Sequence, residues 1–413
     1  MACALHMKKR IFIAMHYLEI GGAESSLIGL LEALDPQKVD VDLFLFSHQG
    51  VFMSAIPNYV HLLPQLPDYA MMERPITEVF KKGHPLVGIA RLIAKWKTKR
   101  FYKQNPSSKD HSAGFTYIGN EVSRVLSGLH QYGTYDLAIS YNYPHNIVLD
   151  KVKSKRRIAW LHTDYRNISI NEQLELPIWS RYDFIISISS DVTTGFLSVF
   201  PTLKDKMVEC ENFLPKCYIE KKASASLDVK CCKMENILKL CSVGRISNAK
   251  NYDNIPYMAQ KLKTLLQCNS STMAFSDFRW FIIGPGNHQD IDRLSERLGV
   301  SKNVVFLGPS DNPYPFIKNC DIYVHPSRYE GKSIVVREAQ LLCKPVIITN
   351  YPTAKSQIND GVDGIICGIN NTCIADAIFK LAINPPLRKA LTDYLKTHDK
   401  SGVSEVNKIY ALL

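Results

Sequence analysis

Glu330 and Glu338 stand eight positions apart in HPSRYEGKSIVVREAQ, residues 325–340. The first follows a short apolar run and reads as a loop residue. The second lies a turn or two into a helix. An ionised carboxylate accepts two hydroxyl hydrogen bonds at once, so such a residue can hold a vicinal diol. Spacing alone says no more, because paired glutamates are common in helices. A second pair is basic. In CSVGRISNAKNYDNI, residues 241–255, Gly244 turns the chain, and Arg245 and Lys250 follow five positions apart. An arginine fork beside a lysine charge, at the end of a strand, suits a diphosphate.

The first half has its own candidates. HYLEIGGAESSLIGLLEAL, residues 16–34, sets Gly21 and Gly22 at the mouth of a helix beginning near Ala23, with Leu27, Leu30, Leu31 and Leu34 at helical spacing. Glycines there admit close backbone approach, and the free N–H groups of a helix start favour an anion. The pattern is not GxGxxG, so a nicotinamide cofactor is not indicated. In RRIAWLHTDYRN, residues 156–167, His162 ends an apolar strand. A lone histidine is more often a packed core residue than a catalytic one. His16 and Glu24 are acceptor-side candidates without a role, and Asp164 reads as a turn cap.

These residues need a frame. The chain has 413 residues, 46% apolar and 22% charged, with a net charge of +11. That is enough for two α/β domains, and the charge implies an acidic partner. Eleven cysteines, odd in number and without CxxC, read as free thiols in a reducing compartment; Cys231 and Cys232 are adjacent. No run of eighteen apolar residues appears, so no membrane span is expected. IFIAM, residues 11–15, is too short for a signal segment and reads as a first buried strand, and the six residues before Met7 read either as an alternative start or as an added leftover.

Further strand-like apolar runs follow at 40–46, 136–140, 157–161 and 183–188, then at 238–243, 279–283, 304–307, 321–324, 344–348 and 364–367. Such runs suit strands buried on both faces, and their alternation with helical segments predicts βαβ units. Residues 212–236 are polar and aperiodic and read as a linker, which places the domain boundary near 215. The fold class predicted is α/β, two doubly wound domains with mostly parallel sheets. In such sheets ligands bind beyond the carboxyl ends of the strands, where every motif above falls.

Taken in order, IGGAES, AWLHTD (159–164), SVGRISNAK (242–250), FIIGPG (281–286), residues 304–331, EGKSIVVREAQ (330–340) and residues 345–367 resemble the retaining glycosyltransferases of the GT4 family. That family has the GT-B fold of two facing Rossmann-like domains. The resemblance implies an N-terminal acceptor domain, residues 1–215, with a C-terminal helix at about 390–413 crossing back to it. It implies a nucleotide-sugar domain over 216–389. Glu330 is then similar to the residue placed against the transferred sugar, and Glu338 to the one that holds the ribose hydroxyls. Arg245 and Lys250 match the basic pair on the donor diphosphate. The helix opening at Ser333 and Ile334 offers N–H groups to it. Many relatives carry an aromatic and a glycine after the first Glu; this chain carries Lys332 and Ser333, and Lys332 adds charge. His162 corresponds to a histidine near the donor sugar. No Asp-x-Asp motif in a metal-site context appears, so the resemblance implies metal-independent, retaining transfer with no cofactor, from a nucleotide-diphosphate sugar, a UDP-sugar favoured.

Residues 80–104 hold eight Lys or Arg and no Asp or Glu. Leu86, Ile89, Ile93 and Trp96 follow a helical stripe while Arg91, Lys95 and Lys99 recur on another. That combination suits a helix on an anionic membrane; the plainer alternative is a first-domain helix with a cationic face. Nucleic acid is not expected, since no module for it is present. The sequence therefore predicts a cytoplasmic enzyme, peripheral on the inner face of the cell membrane. It would transfer sugar to a saccharide or polyprenyl-linked acceptor in cell-surface polysaccharide synthesis. The alternatives are another GT-B enzyme, such as a sugar-nucleotide epimerase or a phosphorylase, and a non-catalytic scaffold.

Overall fold

The computed structural model describes residues 8–19, 21–227, 236–269, 274–330 and 332–413. The Cys231–Cys232 pair and the stretch up to Met7 lie outside these. The chain divides into two compact units, residues 1–215 with 402–413, and residues 216–401.

The strands of the first unit are β1 (Lys9–Met15), β2 (Val39–Leu45), β3 (His61–Leu62), β4 (Asp110–His111), β5 (Thr134–Ser140), β6 (Lys153–Leu161), β7 (Ile168–Ser169), β8 (Phe184–Ser187) and β9 (Met207–Glu209). Seven of them form one parallel sheet in the order β3-β2-β1-β5-β6-β8-β9. β4 and β7 pair as a separate parallel ribbon. Ile11 to Met15 are all buried, as a strand covered on both faces requires. The helix Gly22–Ala33 lies close to the backbone of Phe213 and Leu214: a Cβ on Gly29 would stand 2.6 Å from the Phe213 carbonyl carbon.

The second unit holds β10 (Ile237–Val243), β11 (Asp277–Ile283), β12 (Val304–Gly308), β13 (Ile322–His325), β14 (Val346–Thr349) and β15 (Ile365–Cys367). They form a parallel sheet in the order β12-β11-β10-β13-β14-β15. The helix Ile255–Cys268 buries Ile255, Met258, Ala259, Leu262 and Leu266, a stripe at i, i+3, i+4, i+7 and i+11. Trp280 is fully buried, and its indole N–H donates to Ser242 Oγ at 2.9 Å.

In each sheet the strand order reverses once, between β1 and β5 and between β10 and β13. A reversal opens a crevice at the carboxyl edge, because the two connections leave toward opposite faces. His16 and Tyr17 follow β1, and Asn142 to His145 follow β5. Gly244 to Lys250 follow β10, and the Glu330 loop follows β13.

Three local expectations need correction. The stretch read as a linker contains a helix, Lys216–Ala223, with Ile219 and Ala223 buried four positions apart; two apolar residues on one turn are too few to show as periodicity. The helix crossing back from about 390 is two elements. Pro385–Thr397 belongs to the second unit, and only Val406–Ala411 belongs to the first. Gly402, at φ +80°, breaks them apart in a conformation costly for other residues. The edge strands β3 and β9 and the β4–β7 ribbon, two or three residues each, were not expected from the sequence.

Candidate active site

At the second-unit switch point the structure joins two residues read as serving different ends of one ligand. The Lys250 ammonium makes an ion pair with Glu330 Oε1. His325 Nε2 and Ser327 Oγ meet the same oxygen at 3.2 and 3.1 Å. Thr353 Oγ1 donates to the Glu330 carbonyl at 2.9 Å, which fixes the loop. Burial raises the Glu330 pKa, but the His325 hydrogen bond and the Lys250 charge outweigh it and hold the carboxyl at about 2. A carboxylate only accepts, so His325 Nε2 carries the proton. Burial lowers the His325 pKa, so the ring is neutral, and Lys250 supplies the positive charge. His325 Nδ1 is buried without a partner among the described residues. All three of these side-chain contacts fall on Glu330 Oε1, and Oε2 meets no side chain among the described residues, which leaves it for a ligand.

Gly244 sits directly beside this pair. A Cβ there would lie 3.1 Å from Lys250 Cε and 3.1 Å from the Tyr252 hydroxyl, and its φ of +156° disfavours other residues. Arg245 is exposed and makes no side-chain contact among the described residues, so its guanidinium is available to an anion.

Glu338 is the electrostatic opposite of Glu330. It lies in the helix Ile334–Leu341, is buried, and accepts from Tyr314 Oη at 3.0 Å. Burial pushes its carboxyl up to about 7, against the smaller lowering from Tyr314. Ser333 is the N-cap. Its N–H donates to Gln357 Oε1 at 3.1 Å and its carbonyl accepts from Gln357 Nε2 at 2.6 Å. That clamp sets the direction of the helix start at Ile334, where the backbone N–H groups gather. Lys332 is half-buried beside it.

In the first unit, His16, Glu24 and His162, each singled out from sequence, line one cavity of about 540 Å³. That lies within the usual range for small-molecule sites. Tyr143, Trp160, Tyr165 and Trp179 supply aromatic walls; Glu73, His145 and Glu175 join from elements that gave no sequence signal, and Arg91 from the basic segment. Burial holds His16 and His162 at about 4 and His145 at about 3, so all three are neutral near pH 7. His162 Nε2 lies 3.0 Å from the Tyr141 carbonyl and so carries the proton, leaving Nδ1 as an acceptor. Gly21 is extended, not left-handed. Its missing side chain makes room for the Glu24 carboxylate, whose Oε2 would stand 2.0 Å from a Cβ. Gly22 begins the helix. Asp164 is not at the cavity; it makes a fork with Arg166 on the surface.

The helix Pro85–Gln104 turns small residues to the core: Val87, Gly88, Ala90 and Ala94 are buried. Leu86, Ile89, Leu92, Ile93 and Trp96 all face out, Leu86 being 64% and Trp96 59% exposed. The apolar stripe is therefore not the core face. Arg91 is turned inward, with Nη1 donating to the Met71 and Arg74 carbonyls, and Lys97 is tied to Glu121 at 2.6 Å. Among the described residues no helix is long and apolar enough to cross a membrane, no disulfide joins two cysteines, and no group of three or more His, Cys, Asp or Glu is placed to hold a metal ion.

Comparison with known proteins places this geometry. Residues 233–398 match the family described as glycosyl transferases group 1. An uncharacterized glycosyltransferase of Methanocaldococcus jannaschii is 28% identical over 254 residues, 57% of this chain and 60% of that protein. The N-acetylgalactosamine-N,N'-diacetylbacillosaminyl-diphospho-undecaprenol 4-alpha-N-acetylgalactosaminyltransferase of Campylobacter jejuni is 24% identical, again over 57% and 60%. The matches thus span somewhat under two thirds of the length of these relatives. HepE of Anabaena, solved in complex with UDP-glucose, superposes with a TM-score of 0.61 at 14% identity, covering 98% of this chain and 100% of its own. Residues 233–398 thus match the glycosyl transferases group 1 model, and the chain as a whole has the GT-B fold.

Proposed function

We propose that the protein is a glycosyltransferase of cell-surface polysaccharide synthesis, moving a sugar from a nucleotide-diphosphate sugar, UDP-linked by preference, to a saccharide or lipid-linked saccharide. The observation that carries this is the gathering of Gly244, Lys250, Glu330 and His325 at the second-unit switch point, inside the matched domain. Arg245 and Lys250 neutralise the donor diphosphate and stabilise the departing nucleotide, which makes transfer metal-independent. Lys250 links diphosphate and sugar, because it already holds Glu330 in its ionised form. Glu330 Oε2 then receives hydroxyls of the transferred sugar, and Glu338 the ribose diol. The helix start at Ile334, held in place by the Ser333–Gln357 clamp, meets the phosphates together with Lys332. In the first unit, Gly21 and Gly22 admit substrate to the backbone, and His162 Nδ1 accepts from a sugar hydroxyl. The first-unit cavity takes the acceptor. Transfer proceeds with retention, the leaving phosphate oxygen drawing the proton from the acceptor.

The exposed apolar stripe of Pro85–Gln104, flanked by Lys95, Lys99, Arg100 and Lys103, docks on an anionic membrane surface, and this places the enzyme beside the inner leaflet. The first test is a calorimetric screen of UDP, GDP, ADP and CMP and of UDP- and GDP-sugars on wild type and Glu338→Ala. Micromolar binding of one nucleoside diphosphate, weakened by the substitution, is expected. No binding of any of them refutes the donor assignment.

A further inference from the structure

The first-unit cavity carries a charge pattern that goes beyond taking some saccharide. Three carboxylates line it, Glu24, Glu73 and Glu175, against one cation, Arg91. Arg91 is partly committed, since its Nη1 already serves two backbone carbonyls. Glu175 is satisfied by Thr116 Oγ1, Tyr165 Oη and Trp179 Nε1 at 2.7, 2.8 and 3.3 Å. Glu24 and Glu73 are not so provided. Among the described residues the ion-pair partner of Glu73 is His16 Nδ1, at 3.5 Å, and that ring is neutral. Burial raises the pKa of both carboxyls; at Glu73 the Arg91 charge opposes this, and the charge of Glu24 adds to it. Tyr17, the other hydroxyl on that side, is pushed up first by burial and then by Glu73, Glu24 and Glu19. The three histidines add no charge. Three carboxylates against one partly committed cation leave the wall net negative, which an incoming cation relieves and an incoming anion aggravates. A second feature is a polar group in the wall. Trp160, 1% exposed and part of that wall, has an indole N–H without a partner among the described residues, whereas Trp280 satisfies its own on Ser242. Buried indole N–H groups usually find an acceptor.

We propose that this cavity receives a sugar bearing a free, protonated amine, held between Glu24 and Glu73, and rejects rings that carry a carboxylate or phosphate. The inference rests on the assignment of the acceptor to this cavity. Aromatic walls stack on the ring faces, and the amine meets the carboxylates, so charge selects among sugars of similar shape.

Calorimetric titration at pH 7 with fully deacetylated chitobiose, N,N'-diacetylchitobiose and a glucuronate-containing disaccharide tests it on the whole protein. The deacetylated sugar should bind at least about tenfold tighter than the acetylated one, the factor of one charge-assisted hydrogen bond. The glucuronate should give no heat. Glu24→Gln and Glu73→Gln, which keep the shape of the wall, should each shrink that preference while diacetylchitobiose still binds. Equal affinity for the three sugars, tighter glucuronate binding, no binding of any, or a preference untouched in both variants overturns the inference. UDP titrated into the same samples reads the second-unit site separately. Its loss would refute the transferase reading and leave the charge preference standing on its own measurement.

Discussion

Replacing Glu338 by Gln isolates a carboxylate that the fold holds near its own titration point. The side chain keeps its length, and Tyr314 can still donate to the amide oxygen. What is lost is the charge, and with it the ability to accept from two hydroxyls as an anion. Hydrogen bonds to charged groups contribute about 1.5–3 kcal/mol each, so UDP binding should weaken roughly 10- to 150-fold. The pH dependence is sharper. With a carboxyl at about 7, wild type is ionised in about a tenth of molecules at pH 6 and about nine-tenths at pH 8. If only the anion holds the ribose, Kd should fall about tenfold between those values, a change of about 1.4 kcal/mol. The terminal phosphate of UDP also titrates near pH 6. The informative quantity is therefore the difference between wild type and Glu338→Gln. Calorimetry at pH 7 in two buffers of different ionisation heat counts protons directly. Wild type should release about half a proton more than the variant. Equal release, or a wild-type Kd whose pH slope matches that of the variant, refutes the reasoning. The free protein gives a second check. Between about pH 4.5 and 7 folded Glu338 keeps a proton that the unfolded chain has lost, so stability falls as pH rises through that window. The loss, up to about 3 kcal/mol, should be absent in Glu338→Gln.

Glu330→Gln has the opposite sign: its depressed carboxyl contributes stability above about pH 4.5 that is lost as pH falls toward about 2, so acid unfolding of the variant should be less steep. Turnover should fall at least about a hundredfold while the Kd for UDP changes little, since the residue serves the sugar; unchanged turnover would sink its role. Gly284→Ala places a Cβ 2.1 Å from the Gly244 carbonyl oxygen at φ +148°, so the Tm of the unfolding transition should drop by roughly 6–12 °C for about 3 kcal/mol; a shift under a degree would mean the two loops separate freely. Replacing Lys95, Lys99, Arg100 and Lys103 with Gln should abolish salt-sensitive binding to phosphatidylserine vesicles, read by Trp96 emission, and leave transfer to a soluble acceptor unchanged. Vesicle binding that survives disproves membrane docking through this helix.

The frame was legible because buried parallel strands leave a strong mark: IFIAM and RWFII are apolar on every residue or nearly so, and each lies in a strand of the structure. Motifs lying just past those strands were legible for the same reason. The basic helix was legible in composition, but its orientation was not. Leu86 and Trp96 could have been core residues, and only the packing of Gly88, Ala90 and Ala94 shows that the small face is inward. His325 ends a strand and stood in view, yet nothing in one dimension shows that its Nε2 reaches Glu330. Glu73 had no signal at all, and Arg91 was visible only as one cation of the basic segment, with no hint of a cavity. They come from the excursion between β3 and β4, where no strand end marks a site, and they reach the cavity because Arg91 ties down the carbonyls of residues 71 and 74. Long-range placement of this kind depends on tertiary packing, which periodicity does not encode.

Residues 402–413 are part of the first unit although the whole second unit is made before them. The Asp35 N–H donates to Tyr410 Oη at 2.7 Å, Arg156 Nη1 to the Leu412 carbonyl at 3.1 Å, and the Glu211 N–H to Glu405 at 3.0 Å. On the ribosome the N-terminal sheet must therefore wait for its last piece. At synthesis rates of about 5–20 residues per second, roughly ten to forty seconds separate residue 215 from residue 402. For that interval the places meant for Ile409 and Leu412, both buried in the finished fold, stand open. The nascent chain is then most vulnerable to proteases and to association with its neighbours, and the segment acts as a latch that is set only once residues 402–413 have been made.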